Sequence, residues 1–309
     1  MLASIVKVNG YSPFKTLMLR EYWENRRAIF TTPLVITGIV MVFVILMMGV
    51  LGQSIHINDE AFTIREFLAN MSESDARELR DHMNHLMFAA TIPVLIGAWF
   101  CMVFTALGAL YDERKDNSIL FWKSMPVSDL QTVLSKLLTV MLVIPLVALG
   151  FTFIFQLFLL IVGSLATIGT EYSAWDLLWS ATNFPALILT EISAVIMYSL
   201  WALPIFAWFM LASVLAKRTP LLLATIPVAL AAVLEELFFN TNHILMFIAK
   251  RLSVNGDSEA RFGNDIDELS TRTALEVFQS LGNPELWLGL GITAGLLYLT
   301  ILLRKRKTL

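Results

Sequence analysis

Six stretches of the 309-residue chain stay apolar long enough to cross a bilayer core, which takes about 20 residues per helix. They cover residues 33–51, 86–110, 137–165, 186–216, 221–238 and 286–303, with polar and charged sequence between them. Ahead of the first span, residues 12–32 change to an amphipathic period. Ser12 is placed to cap a helix with Pro13 at its first position, and Phe14, Leu17, Met18, Tyr22 and Ile29 fall near one face. Lys15, Arg20, Glu21, Glu24, Asn25, Arg26 and Arg27 supply the polar remainder, so the helix is expected to lie in the headgroup plane before the chain turns inward at Pro33. The predicted fold is all-α: a polytopic membrane protein of six transmembrane helices with an N-terminal amphipathic interfacial helix, forming one transmembrane domain over 1–309. Loops 52–85 and 239–285 are expected outside and loop 111–136 inside.

Composition agrees with that pattern and excludes a soluble enzyme. The chain is 57% hydrophobic and 15% charged, with mean hydropathy +0.71, against about 25% charged in a soluble domain. The net charge of −3 gives no reason to expect a nucleic-acid partner, but its distribution is informative. Residues 1–32, 111–136, 217–220 and 304–309 hold 15 of the 22 Lys and Arg against 6 acids, a net +9. The opposite segments, 52–85, 169–185 and 235–285 with Glu235 and Glu236 counted at the outer end of span five, hold 7 basic and 18 acidic residues, a net −11, which leaves Glu191 deep inside a span. Positive charge favours the inner side, so both termini are expected to be cytoplasmic. The first dozen residues carry no apolar run of signal-peptide length. The single cysteine, Cys101, rules out an intrachain disulfide.

The segment from Tyr111 to Lys136 is unusual for a connection. Asp116, Asn117 or Ser118 is placed to cap a short helix of Ile119, Leu120, Phe121 and Trp122. Pro126 ends it, and Ser128 with Gln131 makes a capping box that launches the third span. An apolar patch between two turns calls for a surface to bury it, either the membrane or a groove on another protein.

At these residues the chain resembles the ABC type 2 permease family of bacterial exporters. The resemblance lies in Glu113-Arg114 closing the second span, the short apolar stretch, and then Met125-Pro126-Val127-Ser128 and Lys136 opening the third. The segment Arg20-Glu21-Tyr22-Trp23-Glu24-Asn25-Arg26-Arg27 is similar to that family's entry helix. The resemblance implies that 111–136 holds a coupling helix with 13–30 packed beside it. Coupling would then rest on Glu113, Arg114, Phe121, Trp122, Pro126 and Ser128, supported by Arg20, Glu21, Arg26 and Arg27. It also implies an exporter in the bacterial inner (cytoplasmic) membrane.

The motor would have to be another chain. A P-loop needs a Gly-Lys pair, and no lysine follows a glycine anywhere. The expected partners are therefore a separate ATP-binding protein, which would hold ATP and Mg, and a second permease subunit giving a homo- or heterodimer. Membrane lipid would surround them. This chain itself is expected to be neither an enzyme nor a metal or cofactor binder. Asp81, His82 and His85 share one helical turn, but nothing completes a ligand set.

Three acids at or near membrane depth, Glu191, Glu235 and Glu236, are candidates for a translocation pathway, with structural hydrogen bonding or outer-interface exposure as the plainer reading. Span five poses a question of length: only 14 uncharged residues, Leu221 to Leu234, precede Glu235-Glu236, so either the helix is short or the glutamates are submerged. Pro227 is placed to break it, and the run from His243 to Ala249 reads as a re-entrant or interfacial helix. Gly291 and Gly295 form one GxxxG in the last span. Two other functions fit the same residues: an ion-driven secondary transporter working through Glu191 and Glu235, and a membrane scaffold that transports nothing.

Overall fold

A computed structural model describes residues 13–50, 55–57, 60–62, 70–124, 127–252 and 274–306. Among the described residues the regular structure is helical apart from one short antiparallel pair, Ile55–Ile57 with Glu60–Phe62. Six helices are long and apolar enough to cross a membrane: Arg27–Met47, Met83–Gly108, Asp129–Ala166, Trp175–Leu215, Pro220–Phe239 and Pro284–Arg306. We number them spans one to six. The protein has the architecture of a multi-pass membrane protein. Ser12 and Pro126 lie outside the described residues, as do parts of both long loops.

Span four is the axis of the bundle and packs against spans two, three, five and six. Its most apolar window is 61% buried, against 11% for span five, which lies at the periphery. Spans one and two pack closely because Gly97 has no side chain; a Cβ there would stand 2.1 Å from Ile36 Cδ1. Gly291 and Gly295 face open space instead, with nothing within 4 Å of an added Cβ among the described residues.

Three of the spans contain a wide π-helical turn, and two of these have a local cause. A proline cannot donate to the carbonyl four residues back, and its ring clashes with it. The turns Arg27–Thr31 and Thr139–Val143 come just before Pro33 and Pro145 and relieve that clash. Both also follow directly on charged segments, the entry helix Pro13–Glu24 and the Lys136 turn.

Span five is continuous. Helix Pro220–Phe239 holds Pro227 in its interior and carries both glutamates in its closing turns. Its 20 residues span about 30 Å at 1.5 Å each, the thickness of a bilayer core. Of the two alternatives, a short helix or glutamates carried within it, the structure has the second, and Pro227 does not break it: the helix runs on through Glu235 and Glu236 to Asn240, which takes the left-handed conformation at φ 51°. A separate helix, His243–Leu252, follows where the apolar run predicts one.

Candidate functional site

The charged residues of the entry helix, of loop 111–136 and of the end of span six meet at one end of the bundle. Glu113 is at the centre and 6% exposed. It lies on the short helix Tyr111–Lys115, which continues span two after a bend at Ala109 and Leu110. One carboxylate oxygen accepts from Arg20 Nη2 at 2.6 Å and lies 3.2 Å from Lys136 Nζ. The other lies 3.0 Å from Arg304 Nη1, close as a charge although no N–H is aligned on it. Glu21 takes the other side of Lys136, with Nζ 3.1 Å and 3.2 Å from its two oxygens. Arg304 also donates from Nε to Asp129 at 2.9 Å, and its carbonyl accepts from Lys123 Nζ at 3.1 Å.

Four segments distant in sequence are therefore fastened by charge. The two central acids respond oppositely. Burial pushes the Glu113 carboxyl up, but Lys136, Arg304 and Arg20 outweigh it and hold the group down at about 2. For Glu21 burial wins over Lys136 and Arg20, and its carboxyl is raised. Glu113 has three cations around it and Glu21 has to share.

Trp122 completes the joint from the helix Ser118–Ser124. Its ring lies 3.6 Å under the Arg20 guanidinium carbon, a cation–π contact that shields the Arg20–Glu113 pair. This helix is placed by Asn117, whose left-handed φ of 57° suits asparagine. Its other face is bare, with Leu120 54% and Phe121 56% exposed, and Trp23 of the entry helix is 65% exposed as well. Ser128 forms the expected capping box, accepting from Gln131 N at 3.2 Å while Gln131 Oε1 accepts from Ser128 N at 3.1 Å. This fixes the start of span three and, with it, the approach of Lys136.

Arg114 points to a different partner. Its Nη2 donates to the carbonyls of Ser213 at 2.7 Å and Ala216 at 2.8 Å, the last turn of span four. Ser213 Oγ accepts from the backbone N–H groups of Leu110 and Tyr111 at 3.0 and 2.9 Å, and Tyr111 donates its hydroxyl to Arg218 O at 2.7 Å. The loop is thus pinned to the central span as well as to the entry helix. Arg26 and Arg27 are exposed and stand outside the ion cluster.

No family model, curated protein or solved structure matches this chain. Its function has to be argued from the geometry.

The three intramembrane acids are not brought together. Glu191 is 2% exposed and accepts from Gln156 Nε2 at 2.6 Å, between spans four and three. Glu235 instead caps the helix His243–Leu252, accepting from His243 N at 2.8 Å, Ile244 N at 2.9 Å and the Thr241 hydroxyl at 2.9 Å. Glu236 is exposed.

Several partners in these contacts escape a reading by pattern. Asp129 and Arg304 fall at span ends, where they count only as side-specific charge. Ser213 and Gln156 are each flanked on both sides by apolar residues within long apolar helices. Gln156, the one amide between Phe155 and Leu157, carries the clearest signal of these. Arg251 is also buried, 2% exposed between Trp201 and Phe247, with Gly289 leaving the room it occupies.

Proposed function

We propose that this chain is the membrane-spanning permease subunit of an ATP-driven exporter, in which a separate ATP-binding protein docks on the helix Ser118–Ser124 and the adjoining entry helix. The observation that carries this reading is the two-faced character of that helix. Its inner face is locked by Trp122 on Arg20 to a buried ion cluster, while its outer face offers Leu120 and Phe121 to an absent partner. Aromatic and aliphatic anchors of this kind carry most of the energy of protein docking.

A push on this helix would travel along two routes. One runs through Trp122, Arg20 and Glu113 to Lys136 on span three and Arg304 on span six. The other runs through Arg114 to the end of span four. Three spans would then move with the loop. In this reading the joint faces the cytoplasm, on the side whose segments together carry the excess of Lys and Arg. Two copies, or this chain with a related one, would form the pathway in the bacterial inner membrane. ATP and Mg would be held wholly by the partner.

The association test uses the full chain, affinity-purified from its native membrane in mild detergent. The wild-type chain is expected to retain a P-loop ATPase, and the Leu120→Ala/Phe121→Ala variant to lose it. Retention of no ATPase by the wild type contradicts the proposal. A second reading, ion-driven transport, is favoured by one specific feature, the buried and unpaired carboxylate of Glu191. Flux that persists without ATP and depends on an ion gradient would select it.

A further inference from the structure

Glu191 and Gln156 sit where spans four and three face each other, and Met87 of span two closes the group. Both hydrogens of the Gln156 amide nitrogen are committed, one to Glu191 Oε1 at 2.6 Å and one to the Met87 carbonyl at 3.1 Å. Turning the amide over would set its oxygen against those two oxygens, so its orientation is fixed. Two acceptors are left over. Gln156 Oε1 and Glu191 Oε2 are buried and have no hydrogen-bond donor among the described residues. The residues are 0% and 2% exposed, so bulk water does not satisfy them.

Nothing nearby supplies positive charge. Among the described residues no basic side chain acts on Glu191; its one polar side-chain partner is Gln156. The hydroxyls of Thr152 and Ser193, on the same two spans, donate to the carbonyls of Ala148 and Leu189 on their own helices. A carboxylate and an amide oxygen, both without donors inside an apolar bundle, call for a positively charged occupant.

We propose that Gln156 and Glu191 form an intramembrane binding site for a monovalent cation, either an alkali metal ion or the ammonium group of an amine. Both cations are taken by oxygen ligands that replace part of their hydration shell. A single carboxylate matches one positive charge, whereas divalent ions are held by several anionic or carbonyl oxygens. The site does not rest on the export reading, because it is tested on the isolated chain. If that reading also holds, the site lies between two spans that the cytoplasmic joint would move.

The test is a thermal unfolding titration of the full chain in detergent at one pH and constant ionic strength. Tetramethylammonium, too bulky for the site, serves as background, and sodium, potassium and methylammonium are added in separate arms. The wild-type midpoint is expected to rise in at least one arm, with the saturating onset of a binding site. The arm that responds distinguishes a metal ion from an amine. Glu191→Gln keeps the shape and the acceptor for Gln156 but removes the charge. Its midpoint in the background cation is expected to equal or exceed that of wild type, and to respond to no added cation. Gln156→Met, which removes the second oxygen, is expected to fold and to weaken the response, and it stands in if Glu191→Gln misfolds. No response of the wild type in any arm overturns the proposal and assigns the Glu191 charge to a bound proton. An equal response in wild type and Glu191→Gln overturns it as well.

Discussion

Two acids are buried to similar depth in this protein and could hardly be treated more differently. Glu113 is 6% exposed and has Arg20, Lys136 and Arg304 around it, delivered by three separate segments. Glu191 is 2% exposed and has one amide. Burial of a charge is expensive in either place, and the compensation shows what the site is built for. A carboxylate with its cations supplied from within the chain is a joint, and it holds segments in register. A carboxylate without them is held ready for something that comes from outside.

The contrast is broken most directly by removing each charge in turn. Glu113→Ala takes the shared acid from three cations, leaving each with one remaining close carboxylate (Glu24, Glu21 or Asp129), and is expected to cost about 3 kcal/mol, the lower end of the penalty for breaking a buried ion pair. Glu191→Gln takes an acid from no cation, and thermal unfolding in the same detergent should place it at or above wild type in the absence of added cation. A large loss from both variants would erase the distinction.

Acid sharpens the same comparison. The carboxyl of Glu113 is held at about 2 in the folded chain, below its ordinary 4.5. A group lowered on folding stabilises above its unfolded value, and that contribution drains as pH falls through the folded one. Wild type should therefore lose stability between about pH 4.5 and 2, and Glu113→Gln should lose less of it over that window. Glu21 works in the opposite sense. Its carboxyl is raised, so the unfavourable contribution of its charge disappears on acidification. Equal slopes for wild type and Glu113→Gln would show that its three cations do not act on it.

A smaller effect is expected where the joint is only positioned. Ser128→Ala removes the cap of span three, and with it the orientation of the Lys136 turn, at a cost of about 1 kcal/mol. A loss several times larger would mean that the cap takes part in the ion cluster itself.

Much of this architecture is legible in the chain. The six spans follow from apolar length alone, and the Ser128–Gln131 capping box and the helix after Asn117 follow from local chemistry. The joint is legible in half. Glu113, Arg20 and Glu21 can be picked out, but Arg304 lies 191 residues from Glu113 and reads as one more positive charge at a span end. Long-range pairing of charges has no periodicity to reveal it. For the same reason Glu191 can be flagged and Gln156 cannot be matched to it, since their contact depends on how spans three and four rotate against each other. Glu235 misleads in the opposite way. An acid within a span suggests a pathway, yet here it closes the N-terminal turn of the next helix.

In the proposed function, the joint at the end of the bundle transmits the work of an ATPase docked on Phe121. The decisive measurement is the ATP turnover that accompanies the purified full chain, compared between wild type and Phe121→Ala alongside their unfolding midpoints. Phe121 is 56% exposed, meets the joint only through an edge-on contact with the Trp122 ring at 4.9 Å and holds none of its ion pairs, so the midpoints should nearly agree. Turnover should fall about tenfold or more, as expected for losing an anchor worth about 2 kcal/mol of docking. Turnover equal in both chains, or none in either, would contradict the account.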